Sequence, residues 1–255
     1  MLLANSHQTE SVETTHNQQS KKVEIKAHST HWGYTGHQAP QYWGSLNPKY
    51  KMCSQGVNQS PINISNEITI KTDKLEKIGF NYFANSTEVI NNGHAIQVNV
   101  DSYSNINIDG KDFNLKQFHF HSPSENEING RSFPLEAHFV HVAKDGTLAV
   151  VGVLFELGEA NPTLQAIWDK MPKEVGGKTA LSISNKDIDA LLPKSKEYYY
   201  FNGSLTTPPC TEGVKWMVLK EYRTISKEQV EQFLNVIHHE NNRPVQAINA
   251  RKVLR

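Results

Sequence analysis

From about Glu67 onward, short runs of β-branched and aromatic residues recur along the chain at near-regular intervals. The runs are Thr87–Ile90, Ala95–Val100, Ile106–Ile108, Asn114–His121, Leu135–Ala143, Thr147–Leu157 and Val214–Glu221. Each has the length and alternation of a strand. Asn91-Asn92-Gly93, Asp109-Gly110, Asn129-Gly130 and Asp145-Gly146 stand between them as turn signals. Helical periodicity is scarce. Asn161-Pro162 opens one candidate through about Met171, with Leu164, Ile167 and Trp168 on one stripe. Ser226 with Gln229 three residues on opens another, with Val230, Phe233, Leu234 and Ile237 apolar. Many strands, few helices and no β-α alternation predict a mainly β domain (α+β by some schemes). Its centre is a twisted, mostly antiparallel sheet, with a few short helices on the surface.

The first thirty residues break this pattern. They are rich in Ser, Thr, Gln, Asn and His, with no aromatic, glycine or proline, which predicts a flexible polar tail. His7, His16 and His28 there, with His31 just beyond, read as solvated tail histidines. From residue 31 to 255 the chain reads as one domain, entered through an aromatic cluster of Trp32, Tyr34, Tyr42, Trp43 and Tyr50. Lys+Arg and Asp+Glu balance at 26 each, so no global field draws the chain to nucleic acid. No run is long and apolar enough to span a membrane. Met1-Leu2-Leu3-Ala4 is too short for the apolar part of a secretory signal, which leaves a cytosolic chain and a processed one both open. Cys53 and Cys210 are the two cysteines. They are either buried free thiols or a disulfide, and a bond closing so long a loop contributes about 5 kcal/mol in the chain-entropy account.

The candidate chemistry lies in Gln117-Phe118-His119-Phe120-His121. Side chains alternate faces along a strand, so Gln117, His119 and His121 share one face and the phenylalanines anchor the other. In Leu135–His141 the same alternation puts Glu136, His138 and Val140 together, with His141 opposite. Were these strands neighbours, three neutral imidazoles would converge. That donor set suits zinc and leaves a fourth tetrahedral position for water, the mark of a catalytic rather than a structural site. Gln117 and Glu136, each two residues before a histidine, are placed to accept the distal ring N–H groups.

These segments resemble the α-class carbonic anhydrases. The similar blocks are His31–Tyr34, Asn58–Ile64, Asn91–His94, Gln117–Asn126, Leu135–His141, Leu148–Val153, Ser204–Glu221 and Asn242–Gln246, in the family's order. The His-Ser-Pro-Ser-Glu-Asn form at 121–126 and the short loops look bacterial. The resemblance implies a conical cleft with one catalytic zinc ion held by His119, His121 and His138. Gln117, Glu136 and the main-chain carbonyl of Asn241 would orient those ligands. It implies reversible hydration of carbon dioxide to bicarbonate and a proton, by zinc-hydroxide attack. Thr206, donating to Glu125, would aim the nucleophile, and His94 would pass the proton to buffer. Val140, Val150, Leu205, Thr207 and Trp216 would surround the substrate, all but Thr207 as an apolar wall.

It further implies a Cys53–Cys210 disulfide, a periplasmic or secreted location, sulfonamide and small-anion inhibitors, a weak esterase activity and, by analogy with bacterial relatives, a homodimer. Asn242 stands where animal relatives carry a tryptophan, and Ser122 and Asn126 also depart from them; these affect cleft shape and inhibitor preference. Two other readings compete. A binding or adhesion domain of the same fold would usually have lost a ligand histidine, and all three are present here. An ester-directed zinc hydrolase would want a wider pocket than an apolar wall suited to a triatomic substrate.

Overall fold

The computed structural model describes residues 31–83, 85–101 and 103–255. The tail of residues 1–30, with His7, His16 and His28, lies outside the described residues. Thirteen strands among the described residues form one sheet. Its long path runs Lys178–Ala180, Asn85–Asn91, Ile96–Asp101, Lys111–His121, Leu135–Ala143, Leu148–Leu157, Glu212–Leu219, Tyr198–Ser204, Val253–Leu254, Thr69–Ile70. Antiparallel pairing dominates, as the alternating runs and tight turns predict. The exceptions are at the centre and edge: Leu148–Leu157 runs parallel to Glu212–Leu219 and Arg223–Ile225, and Val253–Leu254 parallel to Thr69–Ile70. Parallel neighbours need a long crossover, and the chain between residues 157 and 212 supplies it with two helices and the Tyr198–Ser204 strand.

Both expected helices form. Pro162–Trp168 is capped by the Asn161 side chain, which accepts from the Thr163 and Leu164 N–H groups, and it stops three residues short of Met171. Lys227–Ile237 begins with the Ser226–Gln229 capping box. The two are locked together: Trp168 Nε1 donates to Gln229 O at 2.9 Å, and Gln229 Nε2 donates to Asn161 O at 2.8 Å. Their apolar stripes cover one sheet face, where Phe118, Phe120, Phe139, Trp168 and Phe233 are fully or almost fully buried in the main core. A second core on the other face gathers Val150, Phe201, Trp216 and Val218. A third packs Trp43 against Cys53 and Cys210, with Trp32 and Tyr34 beside them. Those two cysteines are bonded, with Cα atoms 5.0 Å apart and a sequence separation of 157.

The strand that matters most is irregular. Leu115 pairs with His141 but Gln117 pairs with Val140, so Lys116 is an extra, exposed residue opposite no partner. A one-residue bulge reverses which face each side chain takes. Phe113 and Leu115 face the main core before it; after it Phe118 and Phe120 take over that role. The bulge thereby turns Gln117, His119 and His121 to the opposite face.

His141, on the core side, shows what burial does to an imidazole. Its Nε2 lies 2.9 Å from the Tyr82 hydroxyl, and burial pushes its pKa down to about 3. Between an unfolded value near 6.5 and that folded value, the unfolded chain binds the extra proton, so stability rises with pH across the window. The contribution is complete above pH ~6.5 and lost as pH falls toward about 3. Denaturant titrations from pH 7 to 4 should show His141→Gln losing up to about 1.4 kcal/mol of slope per pH unit relative to the parent chain. Equal slopes would place the acid sensitivity elsewhere.

Candidate metal centre

His119 and His138 are directly paired across the Lys111–His121 and Leu135–Ala143 strands, and His121 pairs with Glu136. All three histidines therefore project from one face, and a ligand nitrogen from each lies within 4.8 Å of the others. His121 and His138 are buried, each about 1% exposed, and His119 is half-buried. Two of the rings have one nitrogen hydrogen-bonded to the protein, and the third has one beside a carboxylate without a well-aligned hydrogen bond. His119 Nδ1 donates to Gln117 Oε1 at 2.9 Å, and His121 Nδ1 donates to the Asn241 carbonyl at 2.7 Å. Glu136 Oε1 lies 3.0 Å from His138 Nε2. The inward nitrogens are then His119 Nε2, His121 Nε2 and His138 Nδ1.

His121 Nε2 is buried without a hydrogen-bond partner, an arrangement that costs free energy unless something accepts its lone pair. Desolvation, with neighbouring rings adding to it, lowers the pKa of His119 and His138 well below the usual value; desolvation also lowers that of His121, against the opposing pull of the Asn241 carbonyl and Glu136. The rings stay neutral, with lone pairs to offer. Neutral, converging imidazole nitrogens, one of them orphaned, fit a divalent metal of intermediate softness.

Around the histidines sits a buried polar shell. Glu136 accepts from the N–H groups of Glu125 and Asn126 at 2.9 and 2.8 Å, and from Asn126 Nδ2 at 2.8 Å. Gly152, opposite His138, makes room for it, since a Cβ there would come 2.9 Å from Glu136 Oε1. Asn241 is a hub whose side chain donates to the carbonyls of His94 and Phe120 and accepts from Ser122 N–H. Glu125 is wholly buried. Its Oε1 accepts from Arg243 N–H at 2.8 Å, and its Oε2 lies 3.5 Å from His121 Nε2 and 3.8 Å from His138 Nδ1. Burial raises its pKa to about 8, against the opposing pull of the Thr206 hydroxyl and the Arg243 N–H.

Arg243 in turn threads under the site. Its guanidinium donates to Gln59 Oε1, Ser60 O and Cys53 O at 2.7–2.9 Å. The apolar side is a row across adjacent strands: Val140 pairs with Val150, and Val150 with Trp216. The Trp216 and His138 rings meet nearly at right angles, 4.9 Å apart between centroids. Leu205 packs on the same cluster, and Thr206 is buried at the turn tied by the Leu205 N–H to Thr211 O bond. Thr207 beside it is half-buried.

His94 is where the sequence expectation meets a complication. It is not a free surface histidine: its ring is stacked on Trp32 at 3.7 Å between centroids, with His31 5.3 Å away. Burial first, then His31 and His239, bring its pKa down to about 4. Trp32→Ala should raise it toward 6.5, read from the pH dependence of the His94 ring resonances. A value still near 4 would mean that the stack is not what desolvates the ring. The bond from Asn126 to Glu136, the buried Arg243 guanidinium and the stacking of Trp32 on His94 are not legible in the sequence, although each residue lies in a block singled out there.

The family model described as eukaryotic-type carbonic anhydrase matches residues 38–255. A carbonic anhydrase of Neisseria gonorrhoeae is 50% identical over 228 residues, covering 88% of both chains. The chain belongs to the α-class carbonic anhydrase family. Another family member, from Pectobacterium carotovorum, is 46% identical over 226 residues, covering 89% of this chain and 91% of that one. Among solved structures, the α-carbonic anhydrase of Thermovibrio ammonificans in complex with the inhibitor sulfanilamide superposes with a TM-score of 0.86 at 48% identity, over 88% of this chain and 99% of that one. A dioscorin complexed with ascorbate superposes at 0.81 with 34% identity, covering 88% and 97%. Carbonic anhydrases of this class use zinc, and the three-histidine group is placed to hold it.

Proposed function

We propose that this chain is a zinc enzyme that hydrates carbon dioxide reversibly to bicarbonate and a proton. The observation that carries the reading is the convergence of three neutral histidine nitrogens, at least one of them buried without a partner, beside an apolar wall. His119, His121 and His138 hold the metal. Zinc among three neutral imidazoles supplies hydroxide at neutral pH by lowering the pKa of the water it binds, an effect for which carbonic anhydrase is itself the established example. Gln117, Glu136 and the Asn241 carbonyl fix the ring orientations and tautomers. Thr206 donates its hydroxyl hydrogen bond to Glu125, so its own oxygen is left to accept from the nucleophile and would turn a lone pair of it toward the substrate carbon. Val140, Val150, Leu205 and Trp216 hold a small apolar molecule and exclude water, with Thr207 at the edge. His94 receives the product proton and passes it to buffer, which requires its ring to leave the Trp32 stack or to be reached there through water.

The catalytic domain in this reading spans residues 31–255. The Cys53–Cys210 bond and the bacterial relatives support an exported, periplasmic or secreted enzyme. No helix among the described residues is long and apolar enough to cross a membrane. Stopped-flow hydration of carbon dioxide by the purified zinc-loaded chain tests the reading. Rapid hydration, abolished by sulfanilamide, is expected; zinc bound one-to-one without hydration would leave a binding domain or an ester-directed enzyme instead.

A further inference from the structure

At the end of the Tyr198–Ser204 and Glu212–Leu219 hairpin far from Thr206, with the strand's length of about 20 Å between, lies a cavity of about 540 Å³. It opens between the segment after Thr69–Ile70, the entry to Tyr198 and the last residue of the chain. Lys71, Lys77, Lys196, Lys220 and Arg255 line it, against Glu76 and Glu197. Among the described residues, the one ion pair at this mouth joins Lys220 Nζ to Glu197 Oε2 at 3.4 Å. Even with a carboxylate at Arg255, one of whose oxygens accepts from Thr72 N–H at 2.9 Å, positive charge is in excess. The half-buried Arg255 guanidinium has one long contact, Nη1 donating to Asn66 Oδ1 at 3.4 Å, while its Nε is buried with no hydrogen-bond partner. The inner wall is apolar, formed by Leu75, Ile78 and Tyr198, with Ile78 and Tyr198 each 6% exposed. The ammonium of Lys196 is positioned over Phe80 and donates to Pro193 O, so its stem covers apolar surface while its charge stays at the rim.

We propose that this cavity is a second ligand site, remote from the metal centre, for an organic anion with an apolar body. The head, a carboxylate or a phosphate monoester, would meet Arg255, Lys71 and Lys77, and the body would lie on Leu75, Ile78 and Tyr198. The volume falls in the range of small-molecule pockets, and the combination of apolar lining with a few convergent charges is what such pockets show. An anion there relieves repulsion among like charges and can take charge-assisted hydrogen bonds from the lysine ammonium groups and the Arg255 guanidinium.

Phenyl phosphate, benzoate, inorganic phosphate and phenol serve as probes, titrated calorimetrically into the zinc-loaded protein with its metal centre saturated by sulfanilamide. Phenyl phosphate or benzoate should bind about tenfold more tightly than inorganic phosphate or phenol, since each of the latter lacks one half of the recognition. Which of the two binds tighter identifies the head group. Arg255→Gln and, separately, Lys77→Gln should weaken the better probe by about tenfold each, the loss of one charge-assisted contact. Lys77 is exposed, so its substitution tests the site without threatening the fold. His119→Ala should leave this binding unchanged. Equal affinity in parent and both variants, or no binding of either organic anion at millimolar concentration, would overturn the proposal whether or not the chain hydrates carbon dioxide.

Discussion

Replacing His119 with alanine should abolish rapid carbon dioxide hydration and weaken zinc binding while leaving the fold intact. Two ligand nitrogens would remain, those of His121 and His138, each still oriented by Asn241 and Glu136. Losing a group that merely orients a ligand typically costs 10–100-fold in metal affinity, so losing a ligand should cost more than about 100-fold. His119 is half-buried at the cleft and outside the packed cores, so its truncation opens no large core cavity. Zinc titration against a competing chelator, with circular dichroism as the control for folding, checks both halves. A variant that binds zinc as tightly as the parent would show that His119 is not a ligand. A variant that unfolds would be replaced by Gln117→Ala, for which the same argument predicts a 10–100-fold loss.

The second large effect lies beneath the site. Arg243→Ala should destabilise the chain by roughly 3–5 kcal/mol, because a buried cation leaves and three buried oxygens lose their donor. Those oxygens belong to Gln59, Ser60 and Cys53, so the damage falls on the segment that carries the disulfide. The Arg243 backbone N–H still holds Glu125 at 2.8 Å only while that segment stays in place. Hydration should therefore fall as well, more than the fraction unfolded accounts for. Chemical denaturation paired with activity measured well below the unfolding midpoint separates the two. A loss under about 1 kcal/mol would mean that water or a repacked neighbour replaces the guanidinium.

Those two sites differ in how far the sequence reveals them. The histidine set is legible because the period of a strand is local: residues 117, 119 and 121 share a face by covalent geometry alone. Its partner is legible too, since Leu135–Ala143 reads as a strand to the residue. The bulge at Lys116 is not, because nothing in Leu-Lys-Gln marks it; it reconciles core-facing Phe113 and Leu115 with a Gln117 on the face of the three histidines. The Tyr198–Ser204 strand passed unread although Tyr-Tyr-Tyr-Phe carries strong β propensity, since a continuous aromatic run lacks the alternation that identifies a half-buried strand. The short Asn185–Leu191 helix likewise hides behind a Ser184–Asp187 capping box of the less usual acidic kind.

The Cys53–Cys210 bond, the approach of Thr206 to Glu125 and the Asn241 contacts bring together segments dozens to more than a hundred residues apart. They were reachable only through the resemblance of whole blocks. The stacking of His94 on Trp32 was reachable by neither route, because ring packing depends on how two loops meet.

The account turns on a metal held by three neutral nitrogens, and zinc removal tests it most directly. Hydration of carbon dioxide should be followed by stopped flow before dialysis against a zinc chelator, after it, and again as zinc is added back in substoichiometric steps. The expected result is a rapid initial rate that vanishes with the metal and returns in proportion to zinc, reaching a plateau at one ion per chain. Hydration that survives complete zinc removal, or a chain that takes up one zinc and still fails to accelerate the reaction, would contradict it.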